Sequence, residues 1–213
     1  LIPKNQILYY AIENNRGLPN SYFEKYGKSF FKDFKQYKIF NPKFNWRALH
    51  VKTLKILKDF AIKNPKTSII IKTKTGEKYV ETDYFNLPKN IIIHKSGVGH
   101  GFLKDSKVVI GWNSTAILEA MAANRFILLP YFYKKSKFFQ ESELKCGLKK
   151  ENYGYSKNDF SKKLDLLLNR KYIVRNNYNN LNSLDYYLGN SKNDADLRLN
   201  EFLINNLNYK NFE

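Results

Sequence analysis

Ser114, Thr115 and Glu119 are the residues whose types and spacing could do chemistry together. Two adjacent hydroxyls at a helix start would supplement backbone N–H groups that lack intrahelical partners, and the helix dipole adds partial positive charge there. A terminus of that kind holds a phosphate or pyrophosphate. Glu119 falls four residues after Thr115, on the same helix face one turn along. It is the only charged residue between Lys107 and Arg125. A carboxylate so placed can accept hydrogen bonds from both hydroxyls of a ribose whose phosphates lie at the helix start. The plainer alternative is a capping pair followed by a solvated glutamate.

The elements that must position these residues are legible on either side of them. Val108, Val109 and Ile110 form a short apolar run between Lys107 and Gly111, which suits a strand buried on both faces. Gly111-Trp112-Asn113 turns the chain, and Asn113 or Ser114 is a ready N-cap. Ala116 to Ala123 propagate the helix, Asn124 offers a C-terminal stop, and Phe126 to Leu129 return as a second strand ended by Pro130. Strand, crossover helix and strand make a right-handed unit of a parallel sheet. Asn113, Ser114 and Thr115 are the expected phosphate contacts and Glu119 the expected ribose contact.

These residues carry a resemblance. Val108 to Gly111, Ser114-Thr115, Glu119-Ala120 and Phe126 to Pro130 resemble the C-terminal, nucleotide-sugar-binding domain of GT-B glycosyltransferases, of the bacterial capsule and surface-polysaccharide kind. The resemblance implies that Ser114 and Thr115 meet the nucleotide phosphates and that Glu119 meets the ribose. It is strong over residues 65 to 132 and weak elsewhere. Nucleotide-sugar epimerases and glycerophosphotransferases that use CDP-glycerol share its outline.

Further site candidates come from other strand ends. Gln6 to Ile12 reads as the first strand. In the resembling domains the loop after it faces the sugar phosphates, so the resemblance makes Arg16 a candidate phosphate contact; the alternative is an ordinary exposed loop arginine. Thr67 to Lys72 is the next strand. The resembling families carry an I-K-x-H-P pattern there, which Lys72-Thr-Lys74-Thr-Gly76 replaces without His or Pro. Lys72 and Lys74 share one side of an extended chain and are candidates for a donor phosphate; the missing His leaves no catalytic role to carry over. Lys89 to His94 is a third strand, followed by Ser-Gly97-Val-Gly99-His100-Gly101. The glycine spacing is not the dinucleotide fingerprint, and the segment reads as a flexible loop after a strand, with no clean helix following. Gly97, Gly99 and His100 are candidates for base or phosphate contact. His50, His94 and Asp105 receive no role.

Between these strands, Tyr22 to Tyr37 have the spacing of a basic amphipathic helix, and Asn45 caps a second helix running to Asn64. Leu49, Leu54, Ile56, Leu57, Phe60 and Ala61 mark its buried face. After Pro130, Lys134, Lys135 and Lys137 read as a solvated charge run; in the resembling enzymes this exit lies beside the donor site, which the resemblance would make phosphate-facing. A helix starting at Asp159 or Ser161 and a last one over Ala195 to Asn206 finish the chain. The fold class expected is α/β, a Rossmann-like, mostly parallel sheet flanked by helices, with helices at its C-terminal end. One domain is expected over 1–213, with a core at about 5–135 and a helical part at about 157–213.

Composition sets bounds. Hydrophobic residues make up 43% and aromatics 16%, which argues for a packed chain. No apolar run approaches the roughly 20 residues of a membrane span. One cysteine, Cys146, excludes an internal disulfide and argues against a cysteine zinc site, so no metal is expected. No signal peptide is apparent at Leu1-Ile-Pro-Lys-Asn, and a start without Met suggests part of a longer chain. A cytoplasmic location, with peripheral contact at the anionic inner membrane face, is expected. The net charge of +18 attracts polyanions, although an excess of Lys, Asn, Ile, Tyr and Phe also fits an AT-rich genome.

The expected function is thus the donor-binding half of a glycosyltransferase. It would use a nucleotide-sugar donor, a glycan acceptor and no further cofactor. The general base would belong to an N-terminal acceptor domain, for which this chain is too short. A nucleotide-sugar epimerase, a glycerophosphotransferase and a basic nucleic-acid-binding module are the alternatives, with nucleic acid not the expected partner.

Overall fold

The computed structural model describes residues 4–12, 46–73, 84–97, 99–112, 114–136, 139–140, 143 and 147–170. Arg16, Lys74, Asn113, Lys137, Cys146, the aromatic stretch 20–45 and the segment 171–213 lie outside the described residues.

Six strands form one parallel sheet. In chain order they are β1 (Gln6–Tyr10), β2 (Ser68–Lys72), β3 (Ile91–His94), β4 (Ser106–Ile110), β5 (Phe126–Pro130) and β6 (Tyr153–Gly154). The helices are α1 (Trp46–Lys63), α2 (His100–Asp105), α3 (Thr115–Ala122) and α4 (Lys157–Asn169). The spatial order is β3-β2-β1-β4-β5-β6, the doubly wound order of the Rossmann arrangement. The expected α/β class holds.

The strands form where the sequence is continuously apolar. Ile7, Leu8, Val108, Val109, Ile110, Ile127 and Leu128 have no exposed surface, as strands covered on both faces require. Pro130 is tolerated because β5 pairs with β4 only as far as Leu128, and its last two residues face β6 instead. Right-handed crossovers leave β1 in one direction and β4 in the other, which puts α1 and α3 on opposite faces. α4 returns to the face of α1 and packs against it.

α1 buries all six residues expected of it, Leu49, Leu54, Ile56, Leu57, Phe60 and Ala61, together with Trp46, His50 and Thr53. Its end is tied to the sheet by Asn90, whose Nδ2 donates to the carbonyls of Ala61, Asn64 and Thr67 at 3.1, 3.1 and 2.9 Å. Two expectations are corrected. A short helix, α2, begins within the glycine-rich segment expected to be a loop. Leu103 is buried, the Phe102 ring lies 4.4 Å from that of His94, and Ser106 Oγ donates to the Phe102 carbonyl at 2.7 Å. This packing outweighs the cost of Gly101 in a helix. The final described helix starts earlier than Asp159 or Ser161. Ser156 is its N-cap and accepts from the Asp159 N–H at 3.1 Å, while Asp159 accepts from the Tyr155 N–H at 2.9 Å.

β6 packs so closely on α4 that a Cβ on Gly154 would lie 2.4 Å from Phe160 Cδ2 and 2.9 Å from Phe160 Cα. Because one of these atoms is backbone, the overlap is not relieved by a side-chain rotation. Gly154→Ala is expected to destabilise the fold by about 1–3 kcal/mol. Urea unfolding against wild type checks this; an unchanged midpoint would show that the β6–α4 contact is loose.

Candidate functional site

In a doubly wound sheet the crossovers diverge from two neighbouring strands and leave a crevice outside their C-terminal ends. Here those strands are β1 and β4, paired from Ile7↔Val108 to Tyr9↔Ile110. β4 leads through Gly111 and Trp112 to Ser114 and α3. Gly111 permits a tight passage, since a Cβ there would lie 3.0 Å from Ile117 Cδ1 and 3.5 Å from Tyr10 Cβ. The start of α3 therefore stands at the switch point.

Ser114 is the N-cap of α3, with extended backbone and its Oγ accepting from the Ala116 N–H at 3.4 Å. Thr115 is exposed and Ser114 half-buried. Ile117, Leu118, Ala120 and Met121 bury the opposite side of the helix. The helix ends in a Schellman motif. Asn124 takes a left-handed φ of 57°, its N–H donates to the Met121 carbonyl, and the Arg125 N–H donates to that of Ala120 at 2.8 Å. The stop expected at Asn124 is thus the residue that turns the chain into β5.

Glu119 is half-buried and acts on Tyr10 at the end of β1. Burial first, and the Glu119 carboxylate second, push the Tyr10 phenol well above the ordinary tyrosine value. The Tyr10 hydroxyl is buried and makes no hydrogen bond among the described residues, an arrangement that costs about 1–3 kcal/mol. Gly99 closes on the same ring: a Cβ there would lie 2.7 Å from Tyr10 Oη and 2.8 Å from its Cε1. Ser114, Thr115, Glu119, Tyr10, Gly99 and Gly111 therefore gather about one crevice. A phosphate at the α3 start and a hydroxylated ring beside Glu119 would fit its chemistry.

The other candidates divide. Gly97 has a φ of 74° and is exposed, with open space where a side chain would stand. The backbone of His100 opens α2. Lys72 lies in register with Tyr10, but it is buried and its ammonium donates to the Thr73 carbonyl. Arg16, Lys74 and Asn113 are outside the described residues. Asp105, given no role, pairs with Lys4 at 3.2 Å. His50, also given none, hydrogen-bonds through Nδ1 with the Tyr9 hydroxyl at 2.8 Å and through Nε2 with that of Tyr84 at 3.3 Å. It pins the strand end next to Tyr10.

Two features escaped sequence reasoning. Tyr10 belongs to an apolar run, and nothing local distinguishes it from Tyr9. Trp112 is fully buried, stacked on Phe139 with centroids 4.1 Å apart and tilted against Tyr131 at 5.5 Å. Glu143 accepts from the Tyr131 hydroxyl at 3.1 Å and from the Tyr153 hydroxyl at 2.6 Å. Burial and this carboxylate push Tyr131 up to about 12. The aromatic cluster so formed walls the C-terminal edge of the sheet beyond the crevice.

Among the described residues no group of three or more His, Cys, Asp or Glu could hold a metal ion, and no helix is long and apolar enough to cross a membrane. Neither protein-family models nor curated proteins match the chain.

Tyr10 supplies a direct check on this geometry. A phenol whose pKa is raised by folding contributes stability that is complete below the unfolded tyrosine value of about 10 and is lost as pH rises further. Alkaline titration by near-ultraviolet absorbance should show several late-ionising tyrosines, Tyr131 among them, and the latest of these is expected to be lost in Tyr10→Phe and to move towards the ordinary value in Glu119→Gln. Identical titrations of wild type and Glu119→Gln would separate Glu119 from Tyr10.

Proposed function

We propose that the crevice between β1 and β4 binds the diphosphate and ribose of a nucleotide-sugar, and that the chain is the donor-binding part of a glycosyltransferase acting on a glycan acceptor. The observation that carries this reading is the position of the α3 start at the switch point, with Glu119 one turn along and beside Tyr10. The backbone N–H groups opening α3, with the Ser114 and Thr115 hydroxyls, would hold the phosphates. Glu119 would accept from the ribose hydroxyls. Sugar transfer leaves negative charge on the departing diphosphate. Donors already aimed at that charge stabilise the transition state without reorganising.

An epimerase or a CDP-glycerol-dependent glycerophosphotransferase would use the same phosphate chemistry, so the nucleotide comes first in the test and the sugar second. The net charge of +18 keeps nucleic acid as the second reading. Its signature is oligonucleotide affinity that falls steeply with salt and little response to mononucleotides.

Thermal unfolding with millimolar UDP, GDP, CMP, CDP and ADP discriminates these readings. A nucleotide at 100 times its Kd should add about 2.7 kcal/mol to wild-type stability. Ser114→Ala should lower the starting stability by about 1 kcal/mol through loss of the cap, so the ligand-induced shift is the quantity to compare. Both Ser114→Ala and Glu119→Ala are expected to reduce that shift. A shift unaltered by either substitution would remove the nucleotide from the α3 start.

A further inference from the structure

A second concave site lies past the end of β5. Phe132, Tyr133, Lys134, Lys135, Ser136 and Tyr155 line an open cleft of about 520 Å³, within the roughly 300–1,000 Å³ range of small-molecule sites. The cleft is preformed. The Ser136 N–H donates to the Tyr133 carbonyl at 2.8 Å, and Ser136 Oγ accepts from the Phe139 N–H at 3.4 Å. The Gln140 side chain donates to the Lys134 carbonyl, closing the turn from the other side. Behind the lining, Phe132 meets Phe160 edge-on at 5.6 Å, Tyr133 meets Phe139 at 6.0 Å and Tyr155 meets Tyr131 at 5.6 Å. The rings are held in place by the core.

Cations are arranged around these rings. Lys52, from α1, stands 4.9 Å from the Phe132 ring centroid and 5.4 Å from that of Tyr133. Lys134 stands 5.9 Å from the Tyr155 centroid, and Lys163 stands 5.0 Å from it. Lys163 is neutralised by Asp159 at 3.0 Å. Lys52, Lys134 and Lys135 are exposed, and none has a carboxylate partner among the described residues. Three ammonium groups without a carboxylate partner among the described residues therefore edge a cleft whose walls are largely aromatic carbon.

We propose that this cleft binds an acidic saccharide, a pyranose ring bearing a carboxylate, as a site separate from the β1–β4 crevice. The apolar walls suit the C–H face of a sugar ring, and the lysines suit its anionic substituent. A carboxylate would pair with the same ammonium groups where they stand. The proposal does not require the crevice to bind nucleotide.

The experiment is calorimetric titration of the full chain, at fixed ionic strength, with a short oligogalacturonate, a neutral maltooligosaccharide of equal length and a single-stranded oligonucleotide. Lys134→Gln/Lys135→Gln removes two charges from the cleft. Lys66→Gln/Lys104→Gln removes two exposed charges near the N-terminal ends of β2 and β4, away from the cleft. The expected result is binding of oligogalacturonate in preference to both other probes. It should weaken at least tenfold in the first double variant and not in the second, with Lys52→Gln intermediate. The proposal is overturned if oligogalacturonate does not bind, or if the neutral oligosaccharide binds as well. It is also overturned if both double variants weaken binding equally, or if the oligonucleotide binds more tightly through the same lysines. Nucleotide-induced stabilisation measured on the same variants should be unaltered by Lys134→Gln/Lys135→Gln, which separates this site from the crevice.

Discussion

The pairing of β1 with β4 is the contact on which the rest of the architecture depends. β1 lies between β2 and β4, so the chain leaves it in one direction and must cross back over it to begin β4. Because crossovers of parallel strands are right-handed, the two halves put their first helices on opposite faces. The space outside the ends of β1 and β4 is thereby left open, and the start of α3 is brought to it. An irregularity in the pairing between Gln6 and Ile7 adjusts the register before the strands run together to Tyr9 and Ile110. Tyr10 and Gly111 follow those residues, and both belong to the crevice.

Two carboxylates divide the C-terminal edge of the sheet. Glu119 acts on Tyr10 at the switch point, whereas Glu143 accepts from two tyrosine hydroxyls in the aromatic cluster. The first stands beside a buried hydroxyl that has no hydrogen-bond partner among the described residues; the second accepts from both hydroxyls of its network. A satisfied network rigidifies its surroundings, while an unpaired buried hydroxyl costs stability. The lysine-edged cleft rests on the satisfied side, and its rings are fixed by the Trp112, Phe139 and Tyr131 packing behind them.

Much of the fold was legible because its strands are short, apolar and bounded by distinct residues. The segment from Val108 to Pro130 follows its expected course, including the Ser114 cap and the Asn124 stop, because caps and left-handed turns are set by residues within one helical turn of them. α1 was legible for a similar reason: its buried positions repeat with the helical period. α2 was not, because Gly99 and Gly101 argue locally for a loop, and the contacts that override them come from His94 and the core. The start of α4 was placed late although Ser156-Lys-Asn-Asp159 carries a capping signal.

The sequence by itself determined that this is a parallel α/β chain, where α3 begins and ends, and that two hydroxyls and a carboxylate lie along one side of that helix. These are properties of neighbours in the chain, expressed through propensity, capping and periodicity. Only the tertiary structure decided that the helix start stands between β1 and β4. It also decided that Glu119 acts on Tyr10 there, that Gly99 closes on the Tyr10 ring, and that Lys52 joins Phe132 and Tyr133 at a separate cleft. Those partners are separated in sequence by tens of residues. No local pattern encodes their approach, which follows from strand order and from the packing of opposite faces of one sheet.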